Sequence, residues 1–562
     1  MGSITTTTEQ KLSWQDIVAR KREEGRAAIP KNWLLPSSIL DSLSLPLDKN
    51  PNNLIALDIP RKSGILTDHE LDITENYTVE ALLGKLASGE FTSVDVTTAF
   101  CKRAAIAQQL TFCLTETFFD EAIGRAKSLD ERRAKGEKLG PLHGLPISIK
   151  DGFQIKGQEA SIGYVSFLGK KSTANSPLVD ILLSLGAVLY VKTNIPQTLM
   201  TADSDNNIFG RALNPHNTAL NAGGSSGGEG ALVAFRGSPL GVGTDVAGSV
   251  RIPALCCGTY GFKPTSSRIP YGGQQIPSLA GWKPITASAG PLTNDVDALE
   301  IFTKAVLDTT PALLDSTAID VPWRRLGPNT KSKLRIGVMS EDRVYPLQPP
   351  IKRALAEAAN KLEAAGHDLV YLTPAEGQVS DANEVACEIF GLHTATSKGF
   401  IDASGEPPVP SVAAQIGPGN AGHYNFVPKL DGLDFLHKYA LLTVKRQELC
   451  ENWRTIWLEK KLDAVLAPAA QNTAVPHDNF GWPPFTAFLN LLDYPACVIP
   501  FGKASKELDP EPWKVQAGQG APDYDPELMD GAPCSLQIFT SKMRDEECLQ
   551  VTKVIDECLK RA

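Results

Sequence analysis

Apolar positions recur along this chain in two rhythms, one helical and one strand-like, and the two alternate. Residues 10–28 carry Leu12, Ile17 and Val18 at helical spacing among many charges, which predicts a surface helix. Residues 29–75 are rich in Pro, Ser and Asp and predict an extended arm. From 78 to 138 the helical period returns, through Leu82, Leu83 and Leu86, then Val96, Ala99 and Phe100, then Ala122, Ala126 and Leu129. The short apolar run 145–150 reads as a strand. Residues 177–185 predict a helix stopped by Gly186, and 187–192 a strand. A second unit of the same kind follows: strand 334–339, amphipathic helix 350–365 stopped by Gly366, strand 367–372.

Further on, residues 376–425 predict a loop-rich stretch, because Gly405-Glu-Pro-Pro-Val-Pro and Gly417-Pro-Gly-Asn interrupt it. Loops of that length are often functional, so this one is expected to cover the active site. A long helix is expected over 434–461 and a surface excursion over 503–525. A packed terminal helix should carry Leu549, Val551, Val554, Ile555 and Leu559. No internal repeat is visible. Short strands alternating with helices point to the α/β class, a sheet covered by helices on both faces.

Composition narrows the function more than the fold. The chain has 562 residues, 42% hydrophobic and 21% charged, with a net charge of -9. That balance gives no basic footprint for nucleic acid. The ten cysteines include no CxxC pair and no Cys/His cluster at zinc spacing. No metal and no cofactor are expected, and Cys256-Cys257 read as buried thiols rather than as part of a disulfide framework. The N-terminus lacks a basic region followed by an apolar one, and no run of about 18 apolar residues occurs. A cytoplasmic protein without a transmembrane anchor is the expectation, with the Asn76-Tyr77-Thr78 sequon unglycosylated.

The candidate chemistry lies in three segments. Gly223-Gly224-Ser225-Ser226-Gly227-Gly228 and Gly243-Thr244-Asp245-Val246-Ala247-Gly248-Ser249-Val250-Arg251 are Gly-rich, and Lys150 closes the first strand. Gly-rich turns let the backbone approach a reacting atom and present its N–H groups. A serine is a weak nucleophile until a base takes its proton. Lys150, desolvated at the end of a buried strand, would have a lowered pKa and could serve as that base. The bland alternative is a surface lysine. His143 and His216 are the histidines nearest these segments, and neither has an evident carboxylate partner to orient it. The small residues 246–249 could converge their N–H groups on a developing oxyanion, and Asp245 and Arg251 could pair across the turn. A phosphate cradle is disfavoured, since the segment has neither a Gly-Lys-Ser/Thr ending nor GxGxxG spacing.

Together with His143-Gly-Leu-Pro-Ile-Ser-Ile-Lys150-Asp-Gly and Gly261-Phe-Lys-Pro-Thr265, these segments resemble the amidase signature family over residues 143–265. Weaker likeness extends over most of the chain, and the length and N-terminal arm are most similar to fungal acetamidase-type members. The resemblance implies a single large domain with a mixed sheet, spanning 76–562 behind an arm and helix at 1–75. It implies Ser249 as nucleophile, Ser225 as a bridging serine in a cis peptide, and Lys150 as the final base. It implies an oxyanion hole from the N–H groups of Val246, Ala247, Gly248 and Ser249, with Gly223, Gly224, Ser226, Asp245 and Arg251 in support. Two departures stand out: Ala247 where many members have Gly, and Gln197 where Glu is common.

The implied substrate is a small-molecule carboxylic amide, hydrolysed through an acyl-enzyme. Transamidation with a partner subunit, lipid-amide or ester hydrolysis, and an inactive scaffold are the alternatives. Trp482, Phe485 and Thr486 suit an apolar substrate pocket, at even odds with core packing. The oligomeric state is not readable from the sequence, though homodimers are common in homologues of this type.

Overall fold

Ile147 and Ile149 on one strand, and Val188, Tyr190 and Val191 on the next, are wholly buried, and the sheet grows outward from this pair. The computed structural model describes residues 12–327, 333–416 and 426–561. Its described strands are β1 (Leu114–Thr117), β2 (Pro146–Lys150), β3 (Val188–Thr193), β4 (Leu240–Asp245), β5 (Tyr260–Lys263) and β6 (Ser288–Thr293). They continue with β7 (Arg335–Met339), β8 (Asp368–Leu372), β9 (Ala464–Pro468), β10 (Ala496–Lys503) and β11 (Pro533–Phe539). All eleven join one sheet in the order β1-β3-β2-β4-β6-β5-β10-β11-β9-β7-β8. The sheet is mixed: β3, β2 and β4 run parallel, as do β9, β7 and β8, with antiparallel ladders between the two sets. Every residue of β2, β3 and β4 is buried, which is what helices on both faces of a parallel sheet require.

The helices expected from periodicity form close to where the pattern places them, at Trp14–Ala27, Pro177–Ser184, Pro349–Ala364, Phe435–Lys460 and Asp545–Lys560. Two expectations fail. Residues 29–75 are not extended. They wind through short turns at Lys31–Trp33, Ser37–Leu40, Leu47–Lys49 and Ile59–Lys62 and a helix at Asp68–Glu75. Pro30, Pro36 and Pro46 stand just ahead of a turn and Pro60 opens one, where the missing N–H costs nothing. Trp33, Leu54, Ile59, Leu71 and Ile73 then drop into the main core.

The second failure lies at 376–425. Its described part is mostly helical, at Val379–Gly391, Ala395–Ser404 and Pro410–Ile416. The helical period was present in Val379, Ala382, Val385, Ala386 and Ile389, all buried, and the prolines crowd only the link before Pro410. Gly417-Pro-Gly-Asn lies outside the described residues. All ten cysteines are free. No helix among the described residues is long and apolar enough to cross a membrane.

Candidate active site

β2 and β4 run side by side, with Ser148 opposite Gly241 and Ile149 opposite Val242, so both release their chains at the same edge of the sheet. That edge is where open α/β sheets bind ligands. Lys150 ends β2 and is fully buried. Its Nζ donates to Ser225 Oγ at 2.7 Å and to Thr244 Oγ1, on β4, at 2.8 Å. Burial lowers the amine to about 7, against the upward pull of neighbouring carboxylates, Asp245 foremost. A large fraction of Lys150 is therefore neutral near pH 7 and can accept a proton.

The two serine loops meet at this point. Ser226 N–H donates to the Ser249 carbonyl at 3.2 Å, which fixes one loop against the other. The Gly224–Ser225 peptide is cis. A Cβ on Gly224 would stand 2.3 Å from the Thr201 carbonyl, so only glycine fits there. Ser249 lines a narrow cleft with Gly224, Val246, Ala247, Ile252, Leu199, Thr201 and Trp482.

The loop after β4 is built around one ion pair. Asp245 takes Arg251 Nε and Nη2 at 3.0 Å each, a bidentate and fully buried pair. Arg251 also donates to Asn490 Oδ1 at 2.6 Å and to the Thr486 carbonyl at 3.0 Å. Burial pushes the Asp245 carboxyl up, but Arg251 foremost, then Lys263 and Asn490, outweigh it and hold the group down at about 2. Asp245 also accepts from Gly248 N–H at 2.8 Å and Val250 N–H at 3.2 Å. Of the four N–H groups expected to form the oxyanion hole, that of Gly248 is thus directed to Asp245 inside the loop. Among the described residues, the N–H groups of Val246, Ala247 and Ser249 have no acceptor. Gly248 adopts φ +124°, and a Cβ there would meet Thr486 Oγ1 at 2.2 Å.

A family model described as Amidase matches residues 95–549. The chain belongs to the amidase family. It is similar to an "Amidase" of Gibberella moniliformis, 40% identical over 98% of this chain and 99% of that one. It is 38% identical to an "Acetamidase" of Emericella nidulans, over 97% of this chain and 98% of that one. Among solved structures, a "Fatty acid amide hydrolase" superposes with a TM-score of 0.86 at 31% identity, covering 98% of this chain and 95% of that one. The protein is thus an amidohydrolase acting on amides.

Within this amidase the expected pocket residues separate. Trp482 lines the cleft beside Ser249, and its indole N–H is buried without a partner among the described residues. Phe485 does not line it; the side chain is core, and its carbonyl accepts from Gln537. Thr486 supports the loop after β4, its hydroxyl donating to the Ala247 carbonyl at 2.8 Å. His143 lies at the opposite end of β2, and His216 Nε2 contacts the Cys257 carbonyl, so neither reaches the serines. Among the described residues, no group of His, Cys, Asp or Glu is placed to hold a metal ion.

Gln197 has a physical reason in this amidase. Its amide donates to Glu406 Oε2 at 3.0 Å and accepts from Val409 N–H at 3.0 Å. A glutamate here would set two buried carboxylates against each other. The clamp adjoins Thr198 (φ +78°) and Leu199 (φ +60°), a conformation that costs non-glycine residues about 1–3 kcal/mol each. Leu199 packs on the cluster of Ile401, Val409 and Val412. Phe390, on the helix Val379–Gly391, packs against Trp482. The 376–416 region therefore stands behind two walls of the cleft. Thr244, Asn490 and Gln537 went unrecognised in the sequence, since each is an ordinary polar residue whose role appears only once it is buried beside Lys150 or Arg251.

Proposed function

We propose that this amidase cleaves short carboxylic amides through an acyl-enzyme on Ser249. The observation that carries the reading is the buried Lys150–Ser225 hydrogen bond beside the Ser249 cleft. Ser249 Oγ attacks the amide carbonyl carbon. Its proton passes to Ser225 Oγ, whose own proton passes to Lys150 Nζ. The carbonyl oxygen becomes an oxyanion that accepts from the N–H groups of Val246, Ala247 and Ser249. When the tetrahedral intermediate collapses, the C–N bond breaks. Lys150 returns its proton through Ser225 to the departing nitrogen. Water then attacks the ester carbonyl, gives up a proton along the same route, and releases the carboxylate and Ser249.

The narrow cleft walled by Leu199, Ile252 and Trp482 supports a small acyl group. The acetamidase names of close relatives agree with that size. The test is amide turnover by purified protein on acetamide, hexanamide, benzamide, indole-3-acetamide and a long-chain acyl amide, with Ser249→Ala as control. Ammonia release that favours acetamide and vanishes in the control is expected. A preference for the long-chain amide would overturn the short-acyl reading. Undiminished release by Ser249→Ala would overturn the nucleophile.

A further inference from the structure

Glu229 lies four residues after Ser225, in the first turn of the helix Gly227–Ala234, and is fully buried. Among the described residues no cation pairs with it. Its Oε1 accepts from Thr193 Oγ1, at the end of β3, at 2.8 Å. Its Oε2 is 2.5 Å from Ser148 Oγ on β2. Ser148 Oγ in turn is 3.0 Å from Ser238 Oγ, and Ser238 donates to the Leu240 carbonyl at 2.8 Å.

Counting hydrogens along this chain points to one state. Four contacts link Thr193, Glu229, Ser148, Ser238 and the Leu240 carbonyl, and each needs one hydrogen. A hydroxyl supplies one, while a carbonyl or a carboxylate supplies none. Thr193, Ser148 and Ser238 bring three between them. The neighbouring Tyr190 hydroxyl spends its own on the Gly237 carbonyl at 2.6 Å, and the amine of Lys150 points to Ser225 and Thr244. The fourth hydrogen belongs to the Glu229 carboxyl. Glu229 then donates to Ser148, Ser148 to Ser238, and Ser238 to Leu240.

Ser148 and Lys150 sit two residues apart on β2 and share a face. A carboxylate bound at Ser148 would stand one step from the amine that must stay neutral. We propose that Glu229 is a positioning residue for Lys150 that works as a neutral carboxylic acid, tying β2 to β3 and to the helix after Ser225 without setting a negative charge beside the base. This rests on Lys150 being the base.

The surroundings agree. The other acids facing Lys150 are already engaged: Asp245 by Arg251, and Asp151 by Thr115, Ser161, the Ile162 N–H and Lys192. The groups facing Glu229, apart from Lys150, are Cys113 and Tyr190, both pushed up by burial and so uncharged near neutrality. Burial raises the Glu229 carboxyl itself to about 8. The carboxyl is closely packed, since a Cβ on Gly241 would stand 2.0 Å from Glu229 Oε2.

Two measurements on the full-length enzyme test this. Infrared difference spectra of glutamate-labelled protein at neutral pH should show a carboxylic-acid C=O band that disappears in Glu229→Gln. Absence of that band in the wild type overturns the proposal, whatever base the reaction uses. Glu229→Gln reproduces the donor pattern of the neutral acid, so the acid limb of its kcat/KM profile should stay in place. A carboxylate would have been holding Lys150 up, and its loss would drop that limb by about 1 unit or more; such a drop overturns the proposal. Glu229→Ala, checked for folding by circular dichroism, should lose at least about tenfold in kcat, with Gln restoring it. Wild-type kcat in Glu229→Ala would remove the positioning role. Substantial turnover by Lys150→Ala alongside an intact infrared band would instead discard the base assignment.

Discussion

Lys150 Nζ and Ser225 Oγ lie 2.7 Å apart with no room for water between them, at the point where a parallel strand leaves the sheet. The amine is lowered to about 7 by burial. The proposed proton transfer needs it neutral, so kcat/KM should fall as pH drops through about 7 and flatten above it. A pH–rate profile with acetamide checks this, and activity that rises below pH 6 would contradict it. Lys150→Ala should lose about 10²–10⁴-fold in kcat. Ser225→Ala should lose less, because a water can carry the proton across the vacated position.

Asp245→Asn removes the countercharge of Arg251 in a site from which both are shielded. Breaking a buried pair on one side costs about 3–5 kcal/mol. The thermal midpoint should fall clearly. kcat should fall with it, since the same carboxylate holds Gly248 N–H. A variant with the wild-type melting point would show that the pair does not shape the loop.

Gly248→Ala forces a Cβ into Thr486 Oγ1 at a backbone angle that other residues avoid. The amides of Val246, Ala247 and Ser249 would lose their alignment. A drop of about 10²–10³-fold in kcat, with KM nearly unchanged, is the expected result, as for loss of an oxyanion donor.

Gln197→Glu places a second carboxylate against Glu406. One of the two must then take up a proton on folding, so its folded pKa lies above its unfolded one. Stability is retained below the unfolded pKa and lost as pH rises. The variant should therefore melt closer to wild type at pH 5 than at pH 8. Adding Glu406→Gln should recover the loss at pH 8, and failure to recover would separate the two residues.

Trp482→Ala removes one wall of the cleft. The ratio of kcat/KM for hexanamide to that for acetamide should rise by about tenfold or more, the worth of one or two methylenes in a fitted pocket. An unchanged ratio would place the acyl group elsewhere.

The Gly-rich serine turns were legible in the sequence because backbone geometry leaves few residues able to build them. Gly224 and Gly248 could be nothing larger, and the serines follow them directly. The α/β class was legible for a similar reason: fully buried parallel strands must be near-continuous apolar runs. Residues whose meaning depends on distant partners were not legible. Asn490 is 239 residues from the Arg251 it holds, and Gln537 is 286 away. The turns in 29–75 were hidden by prolines that open helical turns as readily as they break helices. Helices in 376–416 were hidden by a Pro/Gly cluster that belongs only to the link between two of them.

The two serines and the lysine are carried by one stretch of chain, and the helices that back the cleft by another. Ser225, Ser249 and Lys150 come from 150–249, whereas Leu199 and Trp482 lean on helices between 379 and 416. Inheritance can therefore act on the two separately. Changes among Phe390, Ile401, Val409 and Val412 would reshape the cleft of a descendant of this protein while Lys150, Ser225 and Ser249 stay untouched, so a lineage could shift its amide preference without passing through an inactive ancestor.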